Sequence, residues 1–130
     1  MCAPINFLKN QGSKTYPLVI VIMICRRFMD LMLEQGTPLR AVVPLRTALT
    51  KLRPGSEVLT PLDADFLQVC LLAKDYRAAL PVLAEEVLAI ANPEDYNFKP
   101  KDLLRYFYYG GMIFVGTKQY GKALEYFKLV

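Results

Sequence analysis

Arg105 to Phe127, RYFYYGGMIFVGTKQYGKALEYF, reads as two helices joined by a tight turn at Lys118, Gln119 and Tyr120. Phe107, Gly111 and Phe114 fall on one face of the first helix by the i, i+3, i+4 rule. Gly110 and Gly111 remove side chains at a point where a neighbouring helix has to come close. Each glycine costs a helix interior about 1 kcal/mol relative to alanine, so two in succession imply that the close approach is needed. Ala123 is the matching small site on the second helix, and Phe127 lies one turn beyond it.

The pattern recurs along the chain. Leu71–Leu83, LLAKDYRAALPVL, lies over Val115–Phe127, VGTKQYGKALEYF, with an offset of 44. Lys74, Tyr76, Ala79, Leu80 and Leu83 thereby match Lys118, Tyr120, Ala123, Leu124 and Phe127. A weaker copy, Ala41–Leu45, lies over Ala79–Leu83 with an offset of 38. An order of aromatic, small pair, aromatic, then alanine and aromatic at drifting periods near 40 is that of tetratricopeptide-like units. The expected fold is all-α, with antiparallel helical hairpins stacked as an α-solenoid of about six helices. Phe107, Gly110, Gly111, Phe114, Ala79, Leu83, Ala123 and Phe127 are the candidate repeat-packing residues.

Local signals place the other elements. Pro17–Cys25, PLVIVIMIC, continues through Phe28, Leu31 and Met32 as a buried first helix. Its apolar run is shorter than the ~20 residues that span a membrane, and no small-residue cleavage site follows it. Gly36 is a helix-ending glycine. Thr37-Pro38 opens a second helix, bent at Pro44, that runs to about Arg53. Thr60-Pro61-Leu62-Asp63 starts a third, Leu62 to Ala73. A fourth runs from Tyr76 to about Ala91, Asn92 to Lys99 form a polar loop, and Pro100 opens the fifth.

Composition excludes much. At 54% hydrophobic and 22% charged residues the chain is globular. Eight Lys/Arg and three Asp/Glu in residues 1–60 give +5, and eight and nine in residues 61–130 give −1. The basic excess is scattered, so no nucleic-acid surface is expected. Three widely spaced cysteines form no disulfide framework; Cys25 and Cys70 sit in apolar helical settings as small hydrophobes. There is no histidine, no zinc-spaced cysteine pair, no P-loop, no G-x-G-x-x-G and no G-x-S-x-G. The paired acids Asp63/Asp65, Glu85/Glu86 and Glu94/Asp95 read as solvated helix faces, caps and a loop. No catalytic residue, cofactor, metal, small-molecule ligand or membrane contact is expected.

Three segments carry a resemblance. Cys25–Leu52, Leu59–Ile90 and Leu103–Phe127 resemble, in order and spacing, the family of third subunits of the COP-nine signalosome. YYGGMIFVGTKQYGKAL, Tyr108–Leu124, is the most specific part, followed by CLLAK, Cys70–Lys74. The resemblance covers about residues 25–130. It implies a noncatalytic scaffold subunit in a complex that removes a ubiquitin-like modifier from cullin–RING ubiquitin ligases. Its implied partners are the other signalosome subunits, in cytoplasm and nucleus, and the metalloprotease centre belongs to a different subunit. Family members follow their helical repeats with a PCI domain, a helical segment plus winged helix. The expected organisation is therefore an irregular segment over 1–24 and a helical-repeat domain over 25–130, truncated before the PCI domain. Asp63 stands where the family's usual helix start has histidine, and reads as a cap. A free-standing tetratricopeptide-like peptide-binding adaptor and a related proteasome-lid PCI subunit are the alternatives.

Overall fold

The computed structural model describes residues 18–53, 55, 57–85, 87 and 89–130. The lead-in expected over residues 1–16 lies outside them. The described residues form α1 (Leu18–Glu34), α2 (Leu39–Leu52), β1 (Val58–Leu59), α3 (Pro61–Ala73) and α4 (Tyr76–Ala84). They continue with β2 (Ala89–Ile90), α5 (Pro93–Tyr96), α6 (Pro100–Gly116) and α7 (Tyr120–Phe127). Six of these helices have eight residues or more, and the fold is an all-α stack of hairpins: α1/α2, α3/α4 and α6/α7. Leu18–Glu34 is the first helix that the sequence reading expects through Cys25, Phe28 and Met32, with Val21, Ile22, Cys25, Phe28 and Met29 buried, so residues 18–24 of the segment drawn as irregular are helical.

All three hairpins turn in the same way. Gly36, Lys74 and Lys118 each adopt the left-handed conformation, with φ of 71°, 58° and 62°. In each turn that residue's N–H donates to the carbonyl three residues back, Leu33, Leu71 or Val115. The following N–H donates to the carbonyl five residues back, Met32, Cys70 or Phe114. This pair of hydrogen bonds satisfies carbonyls that a helix end leaves open. The turns recur at the spacing read from the sequence, but two of the three use lysine where glycine is unstrained. Left-handed backbone costs a side-chain-bearing residue about 1–2 kcal/mol, and glycine returns part of that in unfolded-state entropy. Lys118→Gly is expected to stabilise the fold by about 0.5–1 kcal/mol, measured as a rise in denaturant midpoint; an unchanged or lower midpoint would contradict this account of the turn.

The centre of the molecule is α3, which packs on α1, α2, α4 and α6. Leu62, Phe66, Leu67, Val69 and Cys70 are all fully buried, because a helix apolar on every side needs neighbours on every side. Ala41, Ala79 and Ala123 occupy equivalent places on the second helix of each hairpin, and all three are buried.

The sequence reading runs the fourth helix to Ala91, but α4 stops at Ala84 and the chain turns extended at Glu85, ψ 131°. Tertiary burial outweighs local propensity here. Ala89–Ile90 pairs in parallel with Val58–Leu59, and the Ala91 N–H donates to the Leu59 carbonyl at 2.8 Å. Ala91 and Tyr96 then bury against Ile22 of α1, and the Tyr96 hydroxyl donates to the Leu52 carbonyl at 2.8 Å. The expected polar loop over 92–99 thus contains a short helix and three buried side chains counting Ala91 just before it: Ala91, Tyr96 and Phe98. Residues 89–99 act as a strap that crosses back from the second hairpin to the first.

Candidate functional site

The α6/α7 hairpin is held by an aromatic cluster. Tyr126 makes ring contacts with Phe107, Phe114 and Tyr106 at 5.3, 5.0 and 6.1 Å between centroids. Tyr106 is fully buried, and burial, then the neighbouring Tyr126, pushes its hydroxyl pKa up. Of the candidate packing residues, Ala79, Leu83, Gly110, Gly111, Phe114 and Ala123 are buried. Phe107 is half-buried, and Phe127 keeps 37% of its surface exposed. A Cβ on Gly110 would meet the Tyr126 ring at 2.8 Å and Leu83 Cδ2 at 3.0 Å. A Cβ on Gly111 would meet the Phe127 ring at 2.5 Å. Tyr106 and Tyr126 were absent from the candidate set; the run of four aromatics at 106–109 disguised which one points inward.

Charged groups are buried where solvated faces were expected. Asp63 and Asp65 lie at 0% and 1% exposure: Asp63 is the cap that the sequence reading expects, in a capping box with Thr60, whereas for Asp65 the burial corrects the reading of a solvated helix face. Asp63 accepts from the Thr60 N–H at 2.7 Å and hydroxyl at 2.9 Å, and it pairs with Arg53. Burial pushes its carboxyl above the usual range, against the pull of Arg53 and Thr60. Asp65 accepts from Arg26 Nε at 2.7 Å and Arg105 Nη2 at 2.9 Å. Asp102, also buried, accepts from the Lys99 N–H at 3.0 Å and takes longer contacts from both arginines. Gln68 Oε1 accepts from Arg105 at 2.9 Å. The network holds two cations and two anions and joins α1, α3 and α6. Desolvation explains the requirement: a buried carboxylate is tolerated only with its partners in place.

Among the described residues, Cys25 and Cys70 are both buried. Burial, then the Asp65 charge, pushes the Cys25 thiol up to about 11. Burial, then Asp75, pushes Cys70 up to about 12. Among the described residues no three His, Cys, Asp or Glu side chains gather as metal ligands, and no helix is long and apolar enough to cross a membrane.

Exposed apolar side chains gather on α7 and on α1. In the second hairpin, Tyr76, Leu80 and Leu83 are covered or partly covered, with Tyr76 against Gly116 and Leu83 against Gly110 of α6. Their repeat equivalents on α7, Tyr120, Leu124 and Phe127, are 62, 58 and 37% exposed. Tyr108 of α6 joins them through its ring contact with Phe127 at 6.3 Å. At the opposite end, Ile20, Met23 and Ile24 of α1 are exposed beside Arg27.

Residues 9–130 match the family of COP9 signalosome complex subunit 3, N-terminal helical repeats. The chain belongs to that family. The COP9 signalosome complex subunit 3 of Dictyostelium discoideum is 42% identical over 129 residues, covering 96% of this chain and 31% of that protein. The subunit 3 of Arabidopsis thaliana is 39% identical over 104 residues, covering 80% and 23%. The chain thus spans less than a third of the length of either relative. The subunit 3 match begins at residue 9, ahead of the boundary at residue 25 drawn from the sequence, and takes in the whole of α1.

Proposed function

We propose that this chain is a noncatalytic scaffold segment of the signalosome, where its hairpins hold partner helices. In that role it supports deneddylation of cullin–RING ubiquitin ligases and so ubiquitin-dependent degradation, in cytoplasm and nucleus. The observation that carries the reading is the match of residues 9–130 to the subunit 3 helical repeats, which the stacked hairpins α1/α2, α3/α4 and α6/α7 fit. Tyr120, Leu124 and Phe127 repeat the face that α4 offers to α6, and that face takes a helix with glycines at the contact points. An incoming helix with small residues at matching places fits the same surface. The peptide-adaptor alternative is weakened because Arg26 and Arg105, suited to gripping acidic peptides, are engaged by Asp65 and Asp102.

The test is affinity purification of the tagged protein from its own cells. Other signalosome subunits are expected in the eluate; their absence sinks the reading, and proteasome-lid subunits in their place would favour the related lid assignment. Leu124→Glu, at an exposed position, is expected to leave stability within about 0.5 kcal/mol while lowering recovery of the partners about tenfold or more. Undiminished recovery would mean that this face is not the one used.

A further inference from the structure

In a solenoid each repeat touches only its neighbours, so stability is a sum of repeat and nearest-neighbour terms and ends open first. Two observations break that rule here. Arg26, in the first hairpin, reaches past the second hairpin to Asp102 in the third, 3.3 Å away, while its Nε holds Asp65 between them at 2.7 Å. The strap that leads into the third hairpin also returns to the first, through Ala91 and Tyr96 on Ile22 and the β1–β2 pair. Asp65 and Asp102 are both buried, so releasing Arg26 leaves two carboxylates short of a partner in a poorly hydrated setting.

We infer that Arg26 is a cross-repeat lock that couples the first hairpin directly to the third, so that all three hairpins open as one cooperative unit. The segment then behaves as a block of set curvature, whereas an unlocked solenoid flexes repeat by repeat. The guanidinium is suited to this because its N–H groups are spread over a rigid planar fork that reaches two carboxylates in fixed directions, whereas an ammonium offers its three donors from a single point.

Native-state hydrogen exchange of the whole chain, followed by mass spectrometry across a denaturant series, tests this. In the unaltered protein the slowest amides of α1 and α6 are expected to share one midpoint. Arg26→Met keeps the aliphatic stem and removes every donor. It should separate the two helices, with α1 amides exchanging about tenfold faster than those of α6. Arg26→Lys, which keeps the charge, should give the same separation to a smaller degree and guards against a methionine variant that fails to fold. Arg27→Met, at the exposed adjacent position, should leave the midpoints coincident. The inference is overturned if α1 already opens before α6 in the unaltered protein. It is equally overturned if both Arg26 variants leave the midpoints together, or if Arg27→Met separates them as far.

Discussion

Asp65→Ala is expected to cost about 3 kcal/mol and to lower the thermal midpoint by roughly 10 °C. Removing one member of a buried ionic group typically costs about 3–5 kcal/mol, because the remaining partners keep their charge and lose its compensation. The lower end applies here. The side chains of Arg26 and Arg105 are 33% and 27% exposed, so water recovers part of what they lose. Asp65→Asn keeps one acceptor and the shape, and should fall about midway. Asp30→Ala, on the exposed side of α1, should stay within about 0.5 kcal/mol of the parent. Thermal unfolding of the three variants is the check. An Asp65→Ala midpoint within a degree of the parent would mean that the carboxylate is not the hub of the network.

Gly110→Leu is the second large effect, with an expected loss of about 3 kcal/mol, the upper end for overpacking. The new side chain meets obstacles on two elements at once, Tyr126 on α7 and Leu83 on α4. Tyr126 has little room to withdraw, since it packs among Tyr106, Phe107 and Phe114. Gly111→Leu meets the Phe127 ring first, which is partly exposed near the end of α7 and can swing outward. Its loss should be nearer 1 kcal/mol, and Phe127→Ala on the same chain should recover most of it. Denaturant midpoints give the order. Equal stability of Gly110→Leu and the parent would remove the argument that the glycine pair exists for helix approach.

The hairpin register was legible because it is local and repeated. Lys74 over Lys118 and Ala41, Ala79 and Ala123 in series mark turns and contacts that each hairpin makes for itself. The glycine pair was legible for the same reason, since an unfavourable residue inside a helix has to answer to a neighbour. The end of α4 was not legible. Nothing in the sequence announces the extended pair Ala89–Ile90; its partner, Val58–Leu59, is some thirty residues earlier, and pairing appears only once α3 and α4 bring the two linkers together. The ionic network was hidden likewise. Arg26, Asp65 and Asp102 are 39 and 76 residues apart along the first arginine's two bonds, and each taken singly resembles an ordinary surface charge. The repeat pattern points to Phe127 and not to Tyr126 because it marks a position by its match to Leu83. The hydroxyl-bearing ring one residue earlier has no counterpart in the second hairpin, where Val82 stands.

Because Asp65 serves two guanidiniums, each arginine depends on an acid that it shares. A lineage that loses Arg26 alone strands part of a buried charge, and one that loses Asp65 alone strands two cations. Neutral drift through either intermediate is therefore uphill, and the accessible routes change several members together. Across descendants of this gene, positions 26, 65, 102 and 105 are expected to be exchanged as a set, charged or apolar together, while exposed positions such as Asp30 and Arg27 wander independently.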